Sequence, residues 1–242
     1  MKEKRYYFNG TIEENSTIIL EGDEFHHLTN VMRTRVGDRV CLFNGNSSFF
    51  FGEVIKINKK NAEIYIDQKV ASENEPKVNL TVFQALAKGD KLSLITQKIT
   101  ELGATNLCLF ESDYCDVKAN THKPDRLETI SISAAKQCGR ASKLNIHGVL
   151  KVNDIAEMIN EFDAFFVAYE NEDGHTLVDS LSNLKNPKKI AIVIGAEGGF
   201  SEKEIELLKT SGADIVSLGK RILRTETASI ACSSVIMQIL EN

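Results

Sequence analysis

Two glycine-containing turns, each placed directly after a short apolar run, constrain the fold of this 242-residue chain more than any other feature. The runs Ile190–Ile194 and Asp214–Leu218 have the length and composition of buried strands. The first run is followed by Gly195-Ala196-Glu197-Gly198-Gly199, and the second turn begins with Leu218-Gly219-Lys220-Arg221. Glycine turns at the ends of neighbouring strands let the backbone approach a flat ligand closely. The alternative is that each is only a tight structural turn.

The first turn lacks the common signatures of nucleotide phosphate binding. The chain has no Gly-Lys-Ser/Thr sequence of a P-loop and no GxGxxG dinucleotide fingerprint, which makes a nicotinamide enzyme a poor hypothesis. The turn also carries the carboxylate of Glu197, a poor neighbour for a phosphate. A cofactor with a cation and a sugar but no phosphate therefore fits better. The sequence Ser201-Glu202-Lys203-Glu204 then predicts a capping box at the start of a helix.

The second turn leads through Arg224-Thr225-Glu226-Thr227 into an apolar helix, which is predicted over Thr225–Leu240. Opposite charges beside an apolar helix are typical of a functional site, so Arg224 and Glu226 are candidate site residues. A purely structural ion pair is the alternative. The helix is also rich in small residues, a composition that fits a buried helix and a subunit interface equally well.

The chain is predicted to contain two domains, residues 1–71 and residues 72–242, with the polar stretch Ala71–Pro76 as the best linker. The first domain has the short β-branched and aromatic runs of a β-rich fold, and one helical candidate at Glu24–Arg33. These runs are Thr17–Leu20, Arg39–Phe43, Phe49–Ile57 and Ala62–Val70. After the linker, strands and helices alternate, which predicts an α/β fold with a parallel sheet covered on both faces. The predicted strands there include Val78–Ala85, Asn106–Phe110 and Ala164–Tyr169, and the helices include Asp90–Glu101 and Pro124–Gln137.

Composition excludes several classes of protein. The N-terminus has no apolar segment long enough for a signal peptide, and no run approaches the roughly 20 apolar residues of a membrane span. The five cysteines are scattered without CxxC or zinc spacing, which favours a cytoplasmic protein with buried thiols and no metal. The net charge of −5 argues mildly against nucleic-acid binding, but local patches decide that question.

Local cationic clusters do occur. Arg33 and Arg35 lie close together in the first domain. Lys91 and Lys98 are seven residues apart and share one face of a predicted helix, just after Lys88. The alternative for these lysines is an ordinary solvated helix face.

Taken together, these segments resemble the RsmE family of ribosomal RNA methyltransferases, members of the SPOUT superfamily. The likeness extends over nearly the whole chain. Its most specific part is Leu218-Gly219 followed by Ile222-Leu223-Arg224-Thr225-Glu226-Thr227-Ala228. Further matching segments are His27-Leu28, Val31-Met32-Arg33, Gly37-Asp38, Phe43-Asn44-Gly45, Lys88-Gly89-Asp90-Lys91, Gln97-Lys98, Glu101-Leu102-Gly103, Ala134-Ala135, Gln137, Arg140, Ile194-Gly195 and Glu197-Gly198-Gly199-Phe200.

The resemblance implies a knotted α/β methyltransferase domain with a C-terminal trefoil knot, preceded by a PUA-like β-barrel for RNA. It implies methylation of N3 of one uridine in 16S rRNA with S-adenosylmethionine, by a homodimer that acts on 16S rRNA or the small ribosomal subunit. The catalytic residues would be Arg224 and Glu226. The implied cofactor-binding residues are Tyr169, Glu170, Gly195, Glu197, Gly198, Gly199, Leu218, Gly219, Ile222 and Leu223. The implied RNA-binding residues are His27, Arg33, Arg35, Lys88, Lys91, Lys98 and Arg140.

Four positions depart from the family pattern. Family members usually have proline where this chain has Ala87, Ala196 and Leu144, and commonly an arginine where it has Tyr114. The alanines are expected to loosen turns without removing a functional group, whereas Tyr114 is expected to affect RNA affinity or target choice. Two other functions are compatible with the sequence: a ribose 2′-O-methyltransferase of the same superfamily, and a non-catalytic RNA-binding assembly factor.

Overall fold

The structure, a computed structural model, describes residues 4–118 and 124–241. The described residues form two compact units. One contains the residues up to Glu75 together with Ala135–Lys143, and the other contains Pro76–Ala134 and the residues from Leu144 onward. The predicted boundary at residues 71 and 72 lies close to this division, and the assignment of a separate role to each domain stays a prediction.

The N-terminal unit is built on a curled sheet of five strands in the order β1-β3-β4-β5-β2. The strands are β1 (Arg5–Tyr7), β2 (Ser16–Glu21), β3 (Arg39–Phe43), β4 (Ser48–Ile57) and β5 (Asn61–Ala71). All pairs are antiparallel except β1 with β3. Helix α1 (Gly22–His26) continues into a π-helical turn over His27–Val31.

Alternation along the strands creates the core of this unit. Ala62, Ile64 and Ile66 of β5 are fully buried and alternate with more exposed residues, because successive side chains of a strand point to opposite faces. The pairing of β4 with β5 is irregular next to Gly52, where an added Cβ would lie 2.3 Å from the carbonyl oxygen of Tyr65. Only glycine permits this approach, and such an irregularity bends the strand and helps the sheet to curl.

The second unit is a parallel sheet of six strands in the order β11-β9-β10-β6-β7-β8. The strands are β6 (Asn79–Ala85), β7 (Asn106–Glu111), β8 (Asn145–Lys151), β9 (Ala164–Ala168), β10 (Lys189–Ile194) and β11 (Asp214–Val216). The helices are α2 (Lys91–Glu101), α3 (Pro124–Cys138, of which the residues before Ala135 belong to this unit), α4 (Val152–Met158), α5 (Leu177–Ser182), α6 (Glu202–Thr210) and α7 (Thr225–Glu241). The predictions of an α/β fold class, a parallel sheet and a β-rich N-terminal domain are confirmed.

The two faces of this sheet carry separate hydrophobic cores. In β10, Ile190, Ile192 and Ile194 pack on one face, and Ala191 and Val193 on the other. The first face is covered by α2, α5 and α7, and the second by α4 and α6. A strand buried on both sides reads as an unbroken apolar run, which is why β10 was predictable.

The capping box of α6 is confirmed: Ser201 Oγ accepts a hydrogen bond from the Glu204 backbone N–H at 3.3 Å, and Glu204 Oε2 accepts one from the Ser201 N–H at 2.8 Å. Within residues 4–118 and 124–241, no helix has the length and apolar character needed to cross a membrane. The trefoil knot stays a prediction.

Candidate active site

A cavity of about 720 Å³ lies at the carboxyl ends of β9, β10 and β11. These strands are neighbours in the order β11-β9-β10, so the loops that follow them meet at one edge of the sheet. The loops comprise residues 169–174, 195–199 and 217–223. Ligands of open α/β sheets bind outside the carboxyl ends of the strands. The volume is within the usual range of small-molecule sites, roughly 300–1,000 Å³.

Most of the predicted cofactor residues line this cavity. They are Tyr169, Glu170, Gly195, Gly199, Leu218, Gly219, Ile222 and Leu223. Glu197 and Gly198 belong to the same turn but are not part of the lining. Both predicted glycine turns therefore reach one cavity.

Two glycines of the lining are required by geometry. Gly199 has a φ of +71°, and an added Cβ would lie 2.2 Å from Oε1 of Glu170. Gly219 has a φ of +101°, which L side chains rarely adopt. The short distance at Gly199 shows that the Glu170 carboxylate lies against the turn. Glu172 and Asp173 add acidic groups to the same wall of the cavity. Lys220 and Arg221 lie in the wall formed by the second turn.

The first residue of α7 joins the two turns. Thr225 is 5% exposed, and its Oγ1 donates a hydrogen bond to the carbonyl oxygen of Gly195 at 2.6 Å. Thr225 and Ala228 also line the cavity. The start of α7 is therefore fixed to the turn after β10, and it forms part of the cavity wall.

A buried glutamine of β6 completes this connection. Gln84 is fully buried, and its Nε2 donates to Thr225 Oγ1 and to the carbonyl oxygen of Ala85, both at 2.9 Å. Its Oε1 accepts a hydrogen bond from Ser229 Oγ, one turn further along α7. A satisfied buried polar network of this kind fixes one arrangement of its elements. Gln84 thus sets the position of the helix that carries Glu226.

Glu197 is held from the other side of the turn by α2 and the loop before it. Its Oε1 accepts hydrogen bonds from Lys91 Nζ at 2.6 Å and from the Lys88 backbone N–H at 3.0 Å. Burial raises the pKa of Glu197, but the hydrogen bonds from Lys91 and Lys88 outweigh this effect, and the net pKa lies below its ordinary value. The carboxylate is therefore ionised at neutral pH and anchors the first turn.

Arg224 and Glu226 flank Thr225 but do not hold each other. Arg224 is exposed, and no Arg224–Glu226 ion pair occurs among the residues that the structure describes. Oε2 of Glu226 is buried and has no hydrogen-bond partner within residues 4–118 and 124–241. A buried carboxylate oxygen without a partner is costly in a folded protein. Direct pairing of Glu226 with Arg224 is therefore not seen in this geometry. Neither residue lines the cavity, although both adjoin Thr225, which does, and their catalytic role stays a prediction.

The predicted RNA-binding lysines of the second unit are each paired with a carboxylate. Lys88 Nζ lies 2.7 Å from Asp116, and Lys98 Nζ lies 2.9 Å from Glu101. The hydrogen bond to Asp116 raises the pKa of Lys88. Lys91 contacts Glu197, as described above, so its first role is to fix the glycine turn.

The N-terminal candidates divide into exposed and buried residues. Arg33 and Arg35 are exposed, and Arg33 has a φ of +49°. His27 is half-buried, with its ring 5.6 Å from that of Tyr6. Arg140 is 3% exposed, and its Nε lies 3.4 Å from Glu75 Oε2. This burial and the contact with Glu75 give Arg140 a structural place in the N-terminal unit, and its contact with RNA stays a prediction.

The four positions expected to depart from the family pattern differ in burial. Ala87, Leu144 and Ala196 are buried, at 4%, 0% and 7% exposure. Tyr114 is 54% exposed. Ala87, Leu144 and Ala196 are therefore packed inside the protein, whereas Tyr114 presents a large side chain to solvent.

Sequence reasoning missed two parts of the site. The loop Asn171–Gly174 lines the cavity. Its Asn-Glu-Asp-Gly sequence, directly after a predicted strand, is typical of a turn and could have indicated this loop. Gln84 is a single amide side chain inside an apolar strand, and this was its only distinguishing feature in the sequence. Among the described residues, no group of three or more His, Cys, Asp or Glu side chains is placed to hold a metal ion.

The comparisons with known proteins agree with this architecture. Residues 73–237 match the family model of an RNA methyltransferase domain, and residues 20–67 match an RNA methyltransferase PUA domain. The fold and site are thus those of an RNA methyltransferase.

Individual relatives narrow the family. The chain is 32% identical to ribosomal RNA small subunit methyltransferase E of Rickettsia conorii, over 95% of this chain and 93% of the relative. It is 31% identical to the Bacillus subtilis protein of the same name, over 96% and 95%. A crystal structure of ribosomal RNA small subunit methyltransferase E from Neisseria gonorrhoeae, bound to S-adenosyl methionine, matches with a TM-score of 0.88 and 28% identity over 98% of both chains. The chain belongs to the ribosomal RNA small subunit methyltransferase E family.

Proposed function

We propose that this protein transfers the methyl group of S-adenosylmethionine to N3 of a uridine in the 16S RNA of the small ribosomal subunit. The observation that carries the proposal is the cavity at three adjacent strand ends, bounded by two glycine turns, in a member of this methyltransferase family. A related protein with the same architecture binds S-adenosyl methionine.

The chemistry of the cavity fits this cofactor. Apolar side chains of Ile194, Leu218 and Leu223 suit an adenine ring, and the glycine backbones of both turns allow close approach. The carboxylate of Glu170 suits a cationic group. When bound, the cofactor supplies an electrophilic methyl group on a positively charged sulfur.

Arg224 and Glu226 are the proposed catalytic residues. Uridine N3 carries a proton, so the reaction needs a group that accepts it or stabilises its loss. The exposed Arg224 guanidinium stabilises negative charge on the uracil oxygens, and Glu226, with a buried carboxylate oxygen that lacks a partner in the described part of the chain, receives or orients the N3 proton. The two residues act on the base separately, which accounts for the absence of a direct ion pair between them in residues 4–118 and 124–241.

The N-terminal unit is proposed to hold RNA through Arg33 and Arg35. Both side chains are exposed on the segment that follows the π-helical turn. Replacing both with alanine is expected to weaken RNA binding and to reduce its salt dependence by about two phosphate contacts, while cofactor affinity is unchanged. An unchanged salt slope would show that these arginines face away from RNA.

We also propose a homodimer in which α7 lies at the interface, working in the cytoplasm. Ala228, Ser229, Cys232 and Ser233 are buried inside the protein itself, so they serve the subunit's own packing. The partly exposed side of α7, with Ile230, Ala231, Ser234 and Val235, is the proposed interface. Replacing Ala231 with a bulky residue would overpack it at a cost of about 1–3 kcal/mol. Sedimentation of the wild type as a monomer at micromolar concentration would contradict the dimer.

The decisive experiment compares methylated nucleosides by mass spectrometry in rRNA from cells with and without the protein. Loss of N3-methyluridine from 16S rRNA supports the proposal. Loss of a 2′-O-methylnucleoside would instead identify a ribose methyltransferase, and no change with intact cofactor binding would identify a non-catalytic assembly factor.

Single-turnover assays then test the two catalytic residues. Arg224→Ala is expected to keep the fold and most cofactor affinity but to lower methyl transfer by about 10²–10³, because a preorganised charge at the reacting base is lost. Glu226→Gln is expected to be similarly impaired. If Arg224→Ala lowers only the melting temperature and turns over normally, the residue is structural.

A further inference from the structure

Tyr114 presents a large aromatic side chain to solvent. It lies in the loop after β7, and 54% of its surface is exposed. β7 belongs to the same parallel sheet as the cavity strands, so this loop also leaves the carboxyl edge. An exposed tyrosine is common in proteins and by itself indicates nothing. Its surroundings distinguish this one.

The loop that carries Tyr114 is fixed on both sides of the residue. The Asp113 backbone N–H donates to Glu204 Oε1 at 2.9 Å, and Asp113 Oδ2 accepts from Ser201 Oγ at 2.6 Å. The loop is thereby attached to the capping box of α6.

The residues after Tyr114 are held equally well. The Cys115 thiol donates a hydrogen bond to the Leu86 carbonyl oxygen at 3.4 Å, and Asp116 pairs with Lys88. Much of the entropy of ordering this loop is therefore lost on folding rather than on binding, which favours recognition by a preorganised side chain.

Tyr114 also contacts the first glycine turn. A Cβ added to Gly198 would lie 2.8 Å from Tyr114 Cβ and 3.1 Å from its carbonyl oxygen, so glycine at 198 is what lets the loop pack here. Gly195 and Gly199 of the same turn line the cavity. One five-residue turn thus contacts the proposed methyl-donor site and the exposed aromatic residue.

We propose that Tyr114 is a stacking platform for an unpaired base of the RNA substrate, beside the methyl-transfer site. RNA bases that are exposed from a loop are commonly held by stacking on aromatic side chains. Lys88, whose partner Asp116 lies two residues from Tyr114, adds a cation next to this loop. A stacked base explains an exposed ring carried by a firmly attached loop next to the cofactor turn. The proposal rests on the proposed function in taking RNA as the ligand.

The chain offers a direct probe because it contains no tryptophan. A Tyr114→Trp variant has a single indole fluorophore at the proposed platform. Titration with a short oligouridylate, in the presence of S-adenosylmethionine, is expected to quench its emission, whereas a ribose-phosphate oligomer without bases is not. Unchanged emission with oligouridylate overturns the proposal. Quenching that depends on protein concentration without RNA also overturns it, since it would place Tyr114 between two copies of the chain.

Affinity and kinetics give a second readout. With small subunits from cells lacking the protein, Tyr114→Phe is expected to match the wild type, because a phenyl ring still stacks. Tyr114→Ala is expected to lose about 10- to 100-fold in RNA affinity and to raise KM for the subunit, with little change in kcat. Val178→Ala, which trims a side chain that is 49% exposed, is the matched control and should have no effect.

The remaining outcomes are also informative. RNA affinity of Tyr114→Ala equal to that of Tyr114→Phe overturns the proposal. Loss of melting temperature or of S-adenosylmethionine affinity in Tyr114→Ala also overturns it, because the ring would then be structural. Failure of the wild type to methylate any RNA refutes the proposed function, while the fluorescence titration still reports separately on base stacking.

Discussion

The Nζ atom of Lys91 lies 2.6 Å from Oε1 of Glu197, so the first residue of α2 anchors the glycine turn that follows β10. The Lys91 and Glu197 side chains are each about 30% exposed, and a partly exposed ion pair contributes little to the free energy of unfolding. Its importance is positional, because Gly195 and Gly199 of the same turn line the cavity.

Breaking this pair is expected to weaken cofactor binding. Lys91→Ala and Glu197→Gln should each lower S-adenosylmethionine affinity by about 2- to 5-fold, and the double variant should be no worse than the more impaired single variant. Isothermal titration measures all three. Lys98→Ala, on the same helix but paired with Glu101, serves as the control and should bind normally. Fully additive losses would show that Lys91 and Glu197 act independently.

The acidic wall of the cavity is expected to distinguish S-adenosylmethionine from its demethylated product. The cofactor carries a positive charge on sulfur that the product lacks, and Glu170 lies against Gly199 in the lining. Glu170→Gln should therefore weaken the binding of S-adenosylmethionine more than the binding of S-adenosylhomocysteine. The ratio of the two affinities should fall by roughly 2- to 5-fold. Competitive titration gives both affinities. Glu206 is exposed and outside the lining, so Glu206→Gln should leave the ratio of the two affinities unchanged. An equal loss of affinity for both ligands in Glu170→Gln would refute a charge effect.

The buried network around Gln84 is expected to stabilise the second unit. In Gln84→Leu, the hydroxyl of Ser229 is left fully buried without its acceptor, which should cost about 1–3 kcal/mol of unfolding free energy. Chemical denaturation measures this loss. Adding Ser229→Ala should recover part of it, because the orphaned hydroxyl is removed. No loss of stability in Gln84→Leu would mean that the network is dispensable.

Asp163 is expected to make stability depend on pH in the acid range. Its Oδ2 accepts backbone hydrogen bonds from Lys189 at 2.9 Å and from Lys188 at 2.6 Å, and these lower its pKa in the folded protein. A carboxyl group with a lowered pKa stabilises the fold above its unfolded pKa of about 3.9, and this contribution is lost as pH falls through the folded value. Asp163→Asn should therefore be less stable than the wild type at pH 7, and the two should converge below about pH 4. Denaturation midpoints across this range test the prediction, and a constant difference would contradict it.

Helices and strands with a clear apolar or capping pattern were predictable from the sequence. Elements without such a pattern were not. The unbroken apolar run of β10 and the capping residues of α6 identify those elements by themselves. Strand β8, at the sheet edge, has no fully buried residue and therefore no apolar pattern to recognise. Strand β1 has only three residues, too few for a period to show.

The site was predictable where its function depends on local backbone shape. Glycine turns after predicted strands can be recognised from composition, because glycine marks positions that other residues cannot adopt. Gln84 could not be recognised, since its partners Thr225 and Ser229 lie far along the chain and meet it only in the folded sheet. The burial of Arg140 was hidden for the same reason, because its partner Glu75 is distant in sequence.

Helix α7 supplies Thr225 and Ala228 to the cavity wall, although it follows all the other described elements in sequence. During synthesis the cofactor site therefore stays incomplete until α7 has left the exit tunnel of the ribosome and docked. Premature termination between Lys143 and α7 removes a wall of the cavity while leaving all residues of the N-terminal unit, which include Ala135–Lys143, in place. Truncated products would retain the proposed RNA-binding surface without the ability to modify what they bind, and would act as competitors of the complete enzyme.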